Sequence, residues 1–158
     1  MEQGAVDQSL RPVPVRLRSA ARILPARDRG QISCAAGKII CMSSVHQVIP
    51  WAGHCTHAAA KGGVHLLMRR AQEVAPDRIR VNAIAPGAIR TRSNRPAWES
   101  KPAEEPLMRL VPCGPLAKPE DVAHAAVWLA SDASDYVVGT RLFIDGGMTL
   151  YPGFAGNG

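Results

Sequence analysis

The sequence has 158 residues, of which 46% are hydrophobic and only 4% aromatic, and this predicts one compact domain with an aliphatic core. Its net charge of +6 comes without zinc-finger spacing, an RNA-binding aromatic motif or a long Lys/Arg run, which argues against a nucleic-acid partner. No apolar run approaches the ~20 residues of a membrane span, and no signal-peptide core lies near the N-terminus, so a membrane-spanning or secreted protein is not expected.

The spacing of the cysteines indicates the cellular compartment in which the protein is expected. The four cysteines, Cys34, Cys41, Cys55 and Cys113, show no C-x-x-C spacing. Without a secretion signal, such thiols are expected to be free and buried in a reducing cytosol. The sequence therefore predicts a cytoplasmic protein.

The chain becomes regular only after its first 36 residues. Residues 1–36 hold six arginines and a weak apolar period that predicts a helix over 15–24, with disorder before it. A short apolar run over 38–43 predicts the first strand. The next segment, 55–74, has helical periodicity and is ended by Pro76. A second strand is expected over 78–85.

The second half of the chain continues the same alternation. A short helix is expected over 104–111, with Pro106 in its first turn. The helix predicted over 117–132 has Pro119 near its first position and acidic residues in its first turn. A last strand over 140–147 ends in a glycine turn. Strands and helices that alternate in this way, with near-continuous apolar strands, predict an α/β fold with a parallel sheet and crossover helices.

Four segments resemble one family in the right order along the chain. They read "GKIICMSSVHQVIPW", "AAAKGG", "IRVNAIAPGAIRT" and "KPEDVAHAAVWLASDASDYVVGTRLFIDGGMTLYP". The chain is similar to the C-terminal half of the short-chain dehydrogenase/reductase family, in particular the bacterial glucose 1-dehydrogenase type. The resemblance implies that 37–158 is a partial domain, the second half of a doubly wound, Rossmann-like sheet whose N-terminal half is missing. Residues 1–36 are then a divergent segment, partly disordered or helical.

The resemblance assigns three catalytic positions. Ser44 aligns with the serine that hydrogen-bonds the substrate oxygen, although a serine that caps the loop after a strand is the alternative. His57 lies where the family has its acid/base tyrosine. Lys61 aligns with the lysine that binds the nicotinamide ribose, and the spacing of four residues puts it on the same helix face as His57.

The turn after the second strand carries the other implied contacts to the cofactor. Pro86, Gly87 and Ile89 resemble the turn whose backbone meets the nicotinamide amide, and Thr91 aligns with a threonine that meets the phosphates. An ordinary strand-ending turn is the alternative interpretation.

Neighbouring segments receive weaker roles. Arg90, Arg92 and Arg95 either hold phosphates or form a solvated lid, and the lid is the preferred interpretation. The resemblance places His46 and Trp51 in the substrate loop without a defined role.

Three departures from the family pattern predict impaired activity. The imidazole of His57 reaches less far from the backbone than a phenol, and a misplacement of about 1 Å already costs about 100-fold in rate. The positive charge of Lys61 would also disfavour the imidazolium form. No glycine-rich pyrophosphate turn occurs in the printed sequence, and no asparagine precedes Asn82, although the family has a catalytic one there. Binding of NAD or NADP is therefore expected to be weak.

Two kinds of function remain open. The first is an NAD(P)-dependent oxidoreductase, truncated and impaired, that acts on a CH–OH group of a small-molecule sugar or alcohol as a homo-oligomer. The second is a non-catalytic oligomerising scaffold or relic of such an enzyme. A metal site at His54, Cys55 and His57 has only weak H-x-x-H spacing, and no G-x-S-x-G motif supports a serine hydrolase.

Overall fold

The computed structural model describes residues 34–150, in which three strands alternate with helices. The strands are Gly37–Met42 (β1), Ile79–Pro86 (β2) and Arg141–Ile144 (β3). The helices are Cys55–Met68 (α1), Ala71–Val74 (α2), Lys101–Met108 (α3) and Pro119–Ala130 (α4). Short 3-10 turns cover Val45–Gln47, Ala75–Asp77, Arg92–Ala97 and Asp132–Ser134.

The strands form one parallel sheet in the order β1-β2-β3. Ile39 of β1 pairs with Val81 of β2, and Ile84 of β2 pairs with Leu142 of β3. Between β1 and β2 the chain passes through α1 and α2, and between β2 and β3 it passes through α3 and α4. The predicted parallel sheet with crossover helices is therefore confirmed. All three strands end at the same edge of the sheet, here called the carboxyl edge.

The central strand β2 is buried on both faces because it has a neighbour on each side and helices above and below. One face packs on α1 and α2, and the other packs on α4. The first face forms a cluster of Met68, Ala71, Ile79, Val81 and Ala83. The second face forms a cluster of Ile84, Ala125 and Leu129, with Val122, Leu142 and Ile144 packed against it.

Two polar side chains of β2 lie buried on the α4 face. The Arg80 guanidinium, 4% exposed, donates from Nη2 to the carbonyl oxygens of Leu129 at 3.0 Å and Ser131 at 3.1 Å. Helix ends leave such carbonyls without intrahelical partners, so Arg80 completes the C-terminal end of α4. Asn82 donates from Nδ2 to the Val137 carbonyl at 2.8 Å and accepts from the Thr140 N–H at 3.0 Å. These bonds fix the connection from α4 to β3 against the sheet.

Two helix predictions need correction. The segment 55–74 is not one helix, because the Arg70 N–H bonds to the Leu67 carbonyl three residues back and this tighter turn separates α1 from α2. The helix expected over 104–111 is also misplaced. It begins three residues earlier, at Lys101, and Pro106 lies in its second turn. The helix predicted over 117–132 is observed at Pro119–Ala130, and Pro119 is at its first position, as expected.

The expected burial of the cysteines is wrong for three of them. Cys34, Cys55 and Cys113 are exposed, and Cys41 of β1 is half-buried. Partial burial raises the pKa of the Cys41 thiol. All four thiols are free, as expected. The three exposed cysteines lie in loops or at the first position of α1, where the sheet does not cover them.

Some expectations fall outside the described range. The helix predicted over 15–24 and the end of the glycine-rich tail are not among residues 34–150. Within that range, the helices are all too short or too polar to traverse a lipid bilayer.

Candidate functional site

The candidate site lies at the carboxyl edge of the sheet. The serine pair follows β1, the Gly87–Thr91 turn follows β2, and Asp145 follows β3. Ring contacts between His57 and the loop after β1 place the first turn of α1 at the same edge. Ligands of open α/β sheets bind in the crevice outside the carboxyl ends of the strands.

Ser43 and Ser44 have different partners. Ser43 is buried, and its N–H donates to the Ile84 carbonyl at 2.8 Å. Ser44 precedes the short 3-10 turn, and its Oγ accepts from the His46 N–H at 3.2 Å. The capping role considered from the sequence is therefore present. A hydroxyl has one donor and two acceptor positions, so the Ser44 O–H can still be given to a substrate oxygen.

Lys61 joins α1 to the end of β1. Its ammonium donates to the Met42 carbonyl at 3.2 Å, while the Ser43 hydroxyl donates to the Lys61 carbonyl at 3.3 Å. These two bonds hold the middle of α1 against the carboxyl edge. An ammonium has three N–H donors, so the contact with Met42 leaves two of them for a ligand.

His57 lies in an aromatic cluster with His46, Trp51 and His54. Trp51 stacks on His46 with ring centroids 4.5 Å apart and on His54 with centroids 3.7 Å apart. The ring of His57 meets His46 edge-on at 5.8 Å and Trp51 at 6.0 Å. His46 and Trp51, which had no defined role in the sequence, are thus direct neighbours of the predicted proton carrier.

Backbone contacts fix the orientation of two imidazoles in this cluster. Nδ1 of His46 lies 3.2 Å from the Ile49 carbonyl, and Nδ1 of His54 lies 3.0 Å from the Ala52 carbonyl. A carbonyl oxygen only accepts, so each bond assigns the proton to Nδ1 and leaves Nε2 as an acceptor in the neutral ring. The cluster is therefore held by its own loop.

The turn after β2 requires a glycine. The Gly87 N–H donates to the Ile144 carbonyl at 3.0 Å. A Cβ at Gly87 would lie 2.9 Å from both Cα and Cβ of Asp145. No larger residue fits between the ends of β2 and β3 without moving one of them.

Asp145 organises the turn after β3. Its carboxylate accepts from the Thr149 N–H at 2.8 Å, the Thr149 hydroxyl at 2.7 Å and the Gly147 N–H at 3.0 Å. Burial by itself raises the pKa of Asp145, but these hydrogen bonds outweigh burial and hold the pKa below the ordinary aspartate value. Asp145 had no role predicted from the sequence. An aspartate directly before the strand-ending Gly-Gly pair was the available signal.

Asn94, another residue without a predicted role, organises the loop after Gly87. Its side-chain amide donates to the Ile89 carbonyl at 2.8 Å. Its Oδ1 accepts from the N–H of Thr91 at 2.8 Å and from the Thr91 hydroxyl at 2.7 Å. The Thr91 side chain, predicted to meet phosphates, is thus engaged within its own loop.

Arg90 and Arg95, two of the three arginines after the turn, form ion pairs with nearby acids. Arg90 donates from Nε to the Glu104 carboxylate of α3 at 2.9 Å. Arg95 forms an ion pair with Glu99 at 3.1 Å. One pair links the segment to α3, and the other lies within the segment. Because the two side chains already have acidic partners, the lid is favoured over a role in holding phosphates.

The residues present fit the nicotinamide end of a dinucleotide. Ile89 is 8% exposed, its carbonyl bonds to Asn94, and its N–H has no acceptor within 34–150. That N–H lies in the turn whose backbone the family resemblance assigns to the nicotinamide amide. Lys61 and Thr91 could turn to a cofactor by exchanging the hydrogen bonds they now make. For a metal ion, residues 34–150 contain no suitable group of three His, Cys, Asp or Glu side chains.

Comparisons with known proteins agree on one family. A family model described as enoyl-(acyl carrier protein) reductase matches residues 5–149. The chain is 54% identical over 119 residues to 3β-hydroxysteroid dehydrogenase 1 of Eggerthella lenta, a match that covers 75% of this chain and 46% of that protein. It is 44% identical over 117 residues to glucose 1-dehydrogenase 2 of Bacillus subtilis, covering 73% of this chain and 45% of that protein.

The fold agrees with a solved structure that contains a cofactor. The gluconate 5-dehydrogenase of Burkholderia cenocepacia, in complex with NADP and tartrate, superposes with a TM-score of 0.72 at 32% identity. The match covers 85% of this chain and 51% of that chain. The chain therefore spans about half the length of the curated relatives and solved structures it matches.

Proposed function

Because the chain belongs to the short-chain dehydrogenase/reductase family, we propose that it supplies the substrate and nicotinamide side of an NAD- or NADP-dependent oxidoreductase. The proposed reaction converts a CH–OH group of a sugar or alcohol to a carbonyl. The observation that carries this proposal is that Ser44, His57 and the Gly87–Ile89 turn all lie at the carboxyl edge, where the Ile89 N–H has no acceptor among residues 34–150. The name glucose 1-dehydrogenase of one relative supports a sugar substrate.

In this proposal, Ser44 orients the substrate hydroxyl and His57 accepts its proton. Ser44 donates its O–H to the substrate oxygen and so orients it. His57 takes the hydroxyl proton as the carbonyl forms, and gives it back in the reverse direction. When bound, NAD or NADP supplies the nicotinamide ring that accepts the hydride from the carbinol carbon. The Lys61 ammonium would add positive charge beside the ribose end of the site.

We further propose that His57 makes this proton transfer inefficient. Its ring is held edge-on against His46 and Trp51. A proton carrier must come within about 2.6–3.2 Å of the group it serves, or reach it through one water. An imidazole confined by ring contacts has little freedom to make up for its shorter reach.

Cofactor binding by the 158-residue chain is expected to be weak. The Gly87–Ile89 turn can hold the nicotinamide end, but the printed sequence contains no glycine-rich helix N-terminus for the pyrophosphate. Titration with NADH or NADPH, followed by cofactor fluorescence, should give a dissociation constant of about 1 mM or weaker. Nicotinamide mononucleotide should compete with NADH, whereas AMP should not. Micromolar binding, or competition by AMP alone, would contradict this assignment.

The second candidate function is an oligomerising scaffold. It is favoured by apolar side chains on the outer helix faces, where Leu66 and Val127 are each 67% exposed and Trp128 is 40% exposed. Since α1 and α4 cover opposite faces of the sheet, each outer surface carries an exposed apolar side chain that a second copy could cover. The family resemblance implies that the region 142–151 is also a subunit contact. We therefore propose a homo-oligomer, and because free thiols suit a reducing compartment, we place it in the cytoplasm.

Light scattering tests the proposed assembly. The chain should scatter as a dimer or larger species, and replacing Leu66 and Val127 by glutamate should shift it toward smaller species, since charges oppose apolar association. A Glu105→Lys variant, with a charge change on the exposed face of α3, should leave the mass unchanged. A monomer that unfolds cooperatively would rule out the scaffold.

A further inference from the structure

A cavity separate from the candidate site lies at the end of the sheet opposite the carboxyl edge. It has a volume of about 520 Å³ and lies between the C-terminal end of α1 and the start of β3. His65 and Arg69 of α1 lie on one side, and Thr140 and Arg141 lie on the other, with Gln72 of α2 also in the lining. None of the residues assigned to the oxidoreductase site lines this cavity.

The lining is basic and has no counter-charge. Arg69 and Arg141 have no carboxylate within salt-bridge distance in the described part of the chain. No acidic residue lines the cavity. Arg141 instead lies over the Phe143 ring, 5.9 Å from its centroid, which restrains the guanidinium at the cavity wall. Two arginines from different elements thus line one cavity that has no carboxylate in its lining.

His65 adds a polar atom that lacks a partner. Its Nδ1 is buried and has no hydrogen-bond partner among residues 34–150. Burial, followed by the charges of Arg141 and Arg69, lowers the pKa of His65. The lining itself carries the positive charges of Arg69 and Arg141 beside this imidazole.

We propose that this cavity binds a phosphate group or a similar divalent oxyanion, held by the guanidinium groups of Arg69 and Arg141. Planar guanidinium groups donate paired hydrogen bonds that match phosphate oxygens. Thr140 and Gln72 supply neutral polar groups on the same lining. The volume exceeds that of phosphate alone, so a phosphate monoester also fits. An anion between the two arginines would offset their effect on His65 and favour its protonated form.

The test is an NMR titration of His65 in the full chain, with inorganic phosphate and phenyl phosphate as separate probes at constant ionic strength. His65→Gln identifies the resonance. Each probe that binds should saturate and should raise the pKa of His65, and tighter binding of phenyl phosphate would identify an ester as the preferred source. The double variant Arg69→Gln/Arg141→Gln should bind the probe about 100-fold or more weakly, because it removes the charge-assisted hydrogen bonds of both guanidinium groups.

Matched variants separate a specific site from general charge. Arg109→Gln removes one charge from an exposed position at the end of α3 and should leave the titration unchanged. Arg141→Lys keeps the positive charge but loses the planar guanidinium with its paired N–H donors. It should still bind the phosphate probe in a saturable way, but more weakly. A non-saturating response, or equal losses in Arg109→Gln and the double variant, would overturn the proposal. A change in oligomeric mass of the double variant without any phosphate effect would also overturn it, and would assign these arginines to a subunit contact.

Discussion

Replacing His57 by tyrosine should raise turnover about 100-fold in a complete enzyme built on this chain. Such an enzyme joins residues 34–158 to the first half of the Bacillus subtilis glucose 1-dehydrogenase 2, which is 44% identical over the matched region. A phenol at this position reaches farther toward the substrate held by Ser44. Lys61, one helical turn further on, would stabilise the phenolate. The assay is glucose oxidation by both versions from about pH 6 to about pH 10, the range over which imidazole and phenol titrate.

The comparison needs equal folding and a control in the same cluster. Far-UV circular dichroism and urea midpoints should match between the two versions. His54→Tyr changes a ring that stacks on Trp51 outside the assigned proton path, and should not raise turnover. If the His57 version matches the tyrosine version near neutral pH, imidazole catalysis through a bridging water is effective, and the inefficiency proposed for His57 is wrong.

Replacing Arg80 by methionine should lower the free energy of unfolding by about 3–5 kcal/mol. The substitution removes the Arg80 donor from the Leu129 and Ser131 carbonyls and a positive charge 3.6 Å from the Asp135 carboxylate. The Ser134 hydroxyl is the other donor near both carbonyls, at 3.1 Å from each. A hydroxyl has one proton, so at least one of the two carbonyls loses its donor, and a buried acceptor without a donor is costly. Urea unfolding followed by circular dichroism measures the effect.

Two further arginine variants give this prediction its control. Arg80→Lys keeps the charge but not the guanidinium that bonds two carbonyls, so its loss should be smaller than that of methionine. Arg70→Met breaks a surface pair with Glu73, in which both side chains are about half exposed, and should leave the urea midpoint unchanged. Equal midpoints for Arg80→Met and Arg70→Met would show that the buried contacts of Arg80 do not stabilise the fold.

The strands and α4 could be predicted because their signals are local. β2 is a near-continuous apolar run, and α4 begins at Pro119 with Asp121 accepting from the Lys118 N–H at 2.7 Å. The break between α1 and α2 was missed because the apolar period continues through Ala71 as if the helix were unbroken. The boundary expected at residue 37, between a divergent segment and the family-like domain, stays a prediction.

The candidate site was only partly predictable. The chain order of a parallel sheet brings Ser44 and the Gly87–Ile89 turn to one edge, so their proximity followed from the fold class. The stack of His46, Trp51 and His54 could not be predicted, because it depends on how the loop after β1 folds back on α1. The partners of Arg80 lie about fifty residues along the chain, beyond the reach of any periodicity. A charged residue in a central strand was the one signal that buried partners must exist.

Formation of reduced cofactor from glucose by the His57→Tyr chimera tests most directly whether this chain supplies the reactive half of a dehydrogenase site. The expected result is measurable turnover that Ser44→Ala lowers by about 100-fold or more, because a donor to the reacting oxygen is lost. Ser93→Ala, on the segment after the Gly87–Ile89 turn, should leave turnover nearly unchanged. A folded chimera that binds cofactor without turnover, or one that Ser44→Ala leaves fully active, would contradict the assignment of the carboxyl edge as the reactive site.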